Sequence, residues 1–140
     1  PFHYTDCFSV RQIGYGGKAE GAGTTYLRVL ETVSGHAVIQ SCAGQNCIIV
    51  YGGANRMTRP QDVDAFLKDY GPGDLLLLQN ETSCVRYAME QAREKGMTVI
   101  LITHNSAIAP MADRVIKIKN GRVDKVELNP HPTLVEDIEW

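Results

Sequence analysis

Between Gly73 and Glu81 the chain reads Asp74-Leu75-Leu76-Leu77-Leu78-Gln79-Asn80, an unbroken apolar run with turn-forming or polar residues at both ends. The run is too short for a helix and has the pattern of a parallel strand buried on both faces. A helical stretch follows, with Val85, Ala88, Met89 and Ala92 forming its apolar stripe. Thr82 or Ser83 can cap its start, and Lys95-Gly96 ends it with a cation and a residue suited to a left-handed cap. Met97 to Ile102 is then a second buried strand. Strand, helix and strand within about thirty residues make a βαβ unit, whose strands are parallel and whose crossover is right-handed.

That arrangement fixes where chemistry can sit. Both strands end at the same edge, so Gln79-Asn80-Glu81 and Thr103-His104-Asn105 are expected side by side, in the place where open α/β sheets bind ligands. The same residues have a purely structural reading. Asn80 and Asn105 can cap the following helices, Glu81 can add a favourable charge at a helix start, and His104 can be a polar loop residue.

The flanking segments are shorter and less regular. Residues 1–23 carry five glycines (Gly14, Gly16, Gly17, Gly21 and Gly23) and no sustained period, which favours loop and leaves this segment poorly defined. Tyr26–Leu30, His36–Gln40 and Cys47–Tyr51 are β-rich runs expected to form a small antiparallel meander. Arg59-Pro60-Gln61-Asp62 opens a short amphipathic helix bearing Val63, Phe66, Leu67 and Tyr70, and Gly71-Pro72-Gly73 stops it. Ser106 to Ala112 is expected to be a short helix broken by Pro110. Val115–Lys119 and Arg122–Leu128 flank Asn120-Gly121, the strongest short-range hairpin signal. Asn129 to Trp140 reads as an acidic, irregular tail. The chain is therefore expected to be a single α/β domain over residues 1–140. It is a small, three-layer-like fragment with a parallel βαβ unit, an N-terminal antiparallel β meander and a C-terminal β hairpin.

Composition narrows the partners. Lys and Arg total 14 against 16 Asp and Glu, so the chain lacks the positive field that nonspecific nucleic-acid binding requires. No apolar run approaches the roughly 20 residues of a membrane-spanning helix. The first residue is Pro1, which suggests a processed or truncated chain, and no secretory leader opens it. Cys7, Cys42, Cys47 and Cys84 have no zinc-type spacing, so no metal site is expected. A hairpin disulfide between Cys42 and Cys47 is geometrically conceivable, but free thiols in a reducing cytoplasm are the expectation.

Two resemblances add to this. Ser34 to Gln40, Gly44 to Asn55 and Gly73 to Glu81 resemble, in order and spacing, the interior of the ribokinase-type (PfkB) carbohydrate kinase family, with weaker likeness back to Thr24, over about residues 24–101. Membership would make the meander a lid over a sugar such as ribose, and a lid-to-lid homodimer contact is an expectation. It would also make Glu81, with Asn80, the sugar-binding pair, a carboxylate being able to accept from two hydroxyls. The family's Gly-Ala-Gly-Asp motif, which carries the catalytic aspartate, is missing after Leu101, so no catalytic residue is assigned and little phosphoryl transfer from ATP and magnesium is expected. Gly16-Gly17-Lys18-Ala19 is only a faint echo of the family's sugar-binding turn.

From Arg93 the chain resembles instead the ABC-transporter ATPases of the macrolide-exporter or lipoprotein-releasing type, over about residues 93–140. Thr103-His104-Asn105-Ser106 and the run to Val115 correspond to that family's switch-histidine segment, and Lys119-Asn120-Gly121-Arg122-Val123 to its terminal hairpin. The resemblance implies that His104 contacts the γ-phosphate of ATP. The family's phosphate loop and Leu-Ser-Gly-Gly-Gln signature are absent, and Gly21-Ala22-Gly23-Thr24-Thr25 lacks the lysine that such a loop needs. Leu75 to Glu81 also imitates a Walker B strand, but Gln79-Asn80 replaces the aspartate that would anchor magnesium. The leading expectation is an incomplete sugar kinase. The alternative is an ATP-binding remnant of an ABC transporter ATPase, or a non-catalytic chimeric α/β domain.

Overall fold

The computed structural model describes residues 21, 23, 25, 26, 28–42 and 44–138. Cys7, Gly16-Gly17-Lys18-Ala19 and Trp140 lie outside the described residues. Contacts divide the described residues into two compact units, one built from those up to Asp69 with Glu81–Cys84, the other from Tyr70–Asn80 with those from Val85 onward.

In the first unit, β1 (His36–Cys42) and β2 (Gln45–Tyr51) form an antiparallel hairpin whose register runs from His36 opposite Tyr51 to Cys42 opposite Gln45. Gly44 supplies the positive φ of the turn. Of the third strand expected at Tyr26–Leu30, the described residues, Tyr26 and Arg28–Leu30, are not in a strand. Tyr26 and Arg28 pack by their side chains instead: the Tyr26 hydroxyl donates to Asp69 Oδ2 at 3.0 Å, its ring meets Phe66 edge-on at 5.4 Å, and Arg28 pairs with Asp62. Gly53 must be glycine, because at φ 47° an added Cβ would lie 2.4 Å from the Val33 carbonyl oxygen. That close approach lets the Ala54 amide donate to the same oxygen. A 3₁₀ turn, Gly53–Met57, then leads to α1 (Pro60–Leu67).

Helix α1 begins as its sequence dictates. Pro60 occupies the first turn, and Asp62 Oδ2 accepts from the Arg59 amide at 2.9 Å, satisfying an amide that the helix cannot. Val63 and Leu67 are buried, whereas Tyr70 lies past the helix end and is exposed.

In the second unit, β3 (Leu75–Gln79) and β4 (Thr98–Ile102) are parallel, joined by α2 (Val85–Glu94). The expected stripe is the buried one: Val85, Ala88, Met89 and Ala92 are all buried, and Leu76 of β3 is buried with them. Each such side chain contributes roughly 1.5–3 kcal/mol when fully buried, less for alanine. Gly96 at φ 69° closes the helix in a Schellman motif, with the Met97 amide donating to the Ala92 oxygen and the Gly96 amide to the Arg93 oxygen. The expectation that both strands are buried on two faces is not met. Leu75, Leu77, Ile100 and Ile102 alternate with the residues facing α2 and stay exposed, because the sheet has two strands and one helical layer among the described residues.

A 3₁₀ segment, Ser106–Met111, contains Pro110 and buries Ile108. The final hairpin pairs β5 (Arg114–Lys119) with β6 (Arg122–Leu128) around Asn120 and Gly121, both at positive φ, as a two-residue type I′ turn requires. The tail is better held than its sequence suggests: Asn129 Nδ2 and the Thr133 amide donate to the Pro110 carbonyl, and Val135–Asp137 form a 3₁₀ turn. Cys42, Cys47 and Cys84 are free thiols. Cys47 sits opposite Gln40 rather than opposite Cys42, so the two hairpin cysteines are diagonal neighbours, roughly 7–8 Å apart at Cα, beyond usual disulfide reach. No helix among the described residues is long and apolar enough to cross a membrane.

Candidate functional site

The parallel register carries Gln79 to the level of Ile102, so Asn80 and Thr103 leave the sheet at one edge. Beyond β4 the backbone is stapled twice. Thr103 Oγ1 accepts from the Asn105 amide at 2.9 Å, and Asn105 Oδ1 accepts from the Ala107 amide at 3.0 Å, capping the 3₁₀ segment. Asn105 therefore fills the structural role its sequence position suggested. His104 stands between these two pinned residues. It is exposed and makes no hydrogen bond or ion pair among the described residues, which leaves both ring nitrogens open to a ligand.

Asn80 is also exposed, with no side-chain partner among the described residues. Glu81 is exposed as well, but the boundary between the units falls between Asn80 and Glu81. The structure thus brings Asn80 together with Thr103, His104 and Asn105 at one edge, while Glu81 groups with the first unit.

The turn at Glu81 is anchored to the segment before α1. The Ser83 hydroxyl donates to the Thr58 carbonyl at 2.9 Å and the Ser83 amide to the Asn55 carbonyl at 2.9 Å. Cys84 adopts φ 64° and its thiol reaches the Thr58 oxygen at 3.1 Å. The strained φ at a non-glycine residue is held by this cluster of bonds to the turn before α1. Serine followed by cysteine gives no sequence signal for such a conformation.

Electrostatics in the first unit centre on Asp62. Hydrogen bonds from the Arg59 side chain and amide, with a smaller contribution from Arg28, lower its carboxyl from 3.8 to about 2, and the Arg59 guanidinium is raised in return. This network fixes a helix start rather than a site for chemistry.

Magnesium does not fit the residues present. Gln79 and Asn80 offer neutral amides where a hard dication wants carboxylate oxygens, and the described residues contain no group of three His, Cys, Asp or Glu suited to a metal. A cavity of about 300 Å³ does occur, lined by Glu90, Arg93, Glu94, Leu134, Val135 and Glu136. It lies along the C-terminal half of α2, which runs antiparallel to the strands and so ends at the edge opposite His104.

No protein-family model matches the chain. A segment of 56 residues, 40% of this chain, is 39% identical to an ABC transporter ATP-binding protein of Mycoplasma pneumoniae. A 43-residue segment is 44% identical to a second such protein of the same organism, and 35 residues are 46% identical to the macrolide export ATP-binding/permease protein MacB 1 of Yersinia pestis. The matched segments span a fifth or less of the length of these relatives. The fold is similar to the crystal structure of Sa239, at a TM-score of 0.53 and 32% identity over 69% of this chain and 33% of that one. These short similarities support the resemblance to ABC-transporter ATPases. None of them supports the sugar kinase reading of residues 24–101.

Proposed function

We propose that the chain holds the switch-histidine portion of an ABC-type ATPase and binds nucleotide phosphate through His104 without turning it over. One observation carries this reading. His104 is presented, uncommitted, at the carboxyl edge of a parallel strand pair, by a backbone pinned on both sides through Thr103 and Asn105. The similarity to ABC transporter ATP-binding proteins supports the same ligand.

The chemistry is limited by what surrounds the imidazole. A ring N–H donates one hydrogen bond to a terminal phosphate oxygen, and in the cationic form adds charge attraction. Turnover needs more: a cradle of amides for the phosphates, a metal to neutralise developing charge, and a group that orients water. The amide side chains at Gln79 and Asn80 supply neither metal anchoring nor a base. A single exposed contact of this kind is weak, at most roughly 1.5–3 kcal/mol even with a charged partner.

Calorimetric titration tests the proposal. ATP heat lost in His104→Ala supports it, and ATP heat unchanged by that substitution sinks it. A second reading assigns Glu81 to a sugar hydroxyl. The turn at Glu81 is anchored through Ser83 and Cys84, which would hold a carboxylate in place for such a ligand. Ribose heat abolished by Glu81→Ala, with no response to ATP, would favour that reading instead.

A further inference from the structure

We propose that the β5–β6 hairpin is a self-association surface, its apolar face covered by the same face of a second copy of this chain. The register sorts the hairpin into two unlike faces. Ile116 lies opposite Val126, Ile118 opposite Val123 and Arg114 opposite Leu128, so these side chains share one face. Val115 opposite Glu127, Lys117 opposite Lys125 and Lys119 opposite Arg122 make the other. On that second face Glu127 accepts from both Lys125 and Lys117, an ion network that belongs in water. The first face has no such outlet: Ile116, Ile118, Val123, Val126 and Leu128 are between 51% and 71% exposed.

Area and charge both point to a second copy. Five aliphatic side chains at these exposures present on the order of 500 Å² of apolar surface, and two faces pressed together bury about 1,000 Å², the threshold for a weak specific interface. The charges are arranged to complement themselves. Arg114 stands at the open end of the hairpin and Asp124 at the irregularity near its turn, where the register shifts between Lys117 and Ile118. Neither forms an ion pair among the described residues. A two-fold axis through the middle of the apolar face sets Arg114 of each copy against Asp124 of the other.

The β1–β2 hairpin, also open, lacks this direction. It places Val38 and Ile49 on one face and Ile39, Ile48 and Val50 on the other, with no Asp, Glu, Lys or Arg in either strand to fix orientation.

Sedimentation velocity over a series of protein concentrations tests the proposal, with circular dichroism confirming that each variant is folded. The wild-type chain is expected to shift from monomer to dimer as concentration rises. Ile118→Lys should hold it monomeric, and Lys117→Ala, on the ion-paired face, should leave the equilibrium alone. Arg114→Asp should weaken the dimer about tenfold, and the double exchange Arg114→Asp with Asp124→Arg should restore it. This charge-exchange arm keeps the test decisive if Ile118→Lys fails to fold. A monomer at every concentration, failure of the double exchange to restore the dimer, or a dimer that survives Ile118→Lys and is lost in Val50→Lys would overturn the proposal.

Discussion

Replacing Gly96 by alanine should cost the second unit stability through backbone strain alone. The residue sits at φ 69°, and an added Cβ would meet the Pro72 side chain at 3.5 Å, an ordinary van der Waals contact. Space is therefore available, and the two amide bonds that close α2 use backbone atoms that alanine retains. What remains is the left-handed penalty of an L-residue, roughly 1–2 kcal/mol. Gly71 is the matched control. It lies outside the left-handed region, nothing stands within 4 Å of its added Cβ, and its amide donates to Asp74 Oδ2 whatever its side chain. Alanine there should stabilise by about 0.4–1 kcal/mol, by restricting the unfolded chain. The two variants should thus differ by about 1.5–3 kcal/mol with opposite signs. Urea unfolding followed by the helical dichroism signal reads this difference as midpoints moving apart at constant slope. Midpoints that move together, or a Gly96→Ala protein as stable as the parent, would refute the assignment of strain. Gly96→Asn should lose less than Gly96→Ala, since asparagine tolerates positive φ better.

Two further perturbations probe the first unit. Ser83→Ala removes the hydroxyl donor to the Thr58 carbonyl and should lower stability by about 1 kcal/mol; an unchanged denaturation midpoint would show that the bond contributes nothing. Asp62 has a folded-state carboxyl near 2 against 3.8 when unperturbed. Its contribution is therefore fully present above pH 3.8 and is lost as pH falls from there through about 2. Asp62→Asn should flatten that acid limb of the stability profile, and an acid limb identical to the parent's would contradict the ion-pair account.

The parts of the fold legible in the sequence are those set by local rules. Asn120-Gly121 dictated a hairpin because both residues accept positive φ, Gly96 ended α2 for the same reason, and Pro60 with Asp62 started α1. The spacing of Val85, Ala88, Met89 and Ala92 identified the buried stripe because burial follows the helical period. Reading failed where tertiary partners decide. Tyr26 and Arg28 have strand-like neighbours, but Phe66, Asp69 and Asp62 offered their side chains better partners than a third strand could. The apolar run at Leu75–Leu78 implied cover on both faces, and no sequence pattern says how many layers surround it. At the candidate site, the shared edge of Asn80 and His104 followed from parallel pairing, and Asn105 as a cap followed from its place before a short helix. The bonds from Ser83 and Cys84 to Thr58 did not, since nothing local marks Cys84 for a left-handed backbone.

The central claim is that His104 meets nucleotide phosphate. Imidazole resonances recorded while ATP is added test it most directly. His36 is an internal control in the other unit, its ring nitrogen within 3.1 Å of the Ser34 oxygen and its plane tilted against Tyr51. The account predicts that the His104 signals move progressively with ATP while those of His36 stay fixed. Stationary His104 signals at saturating ATP, or a shift confined to His36, would contradict it.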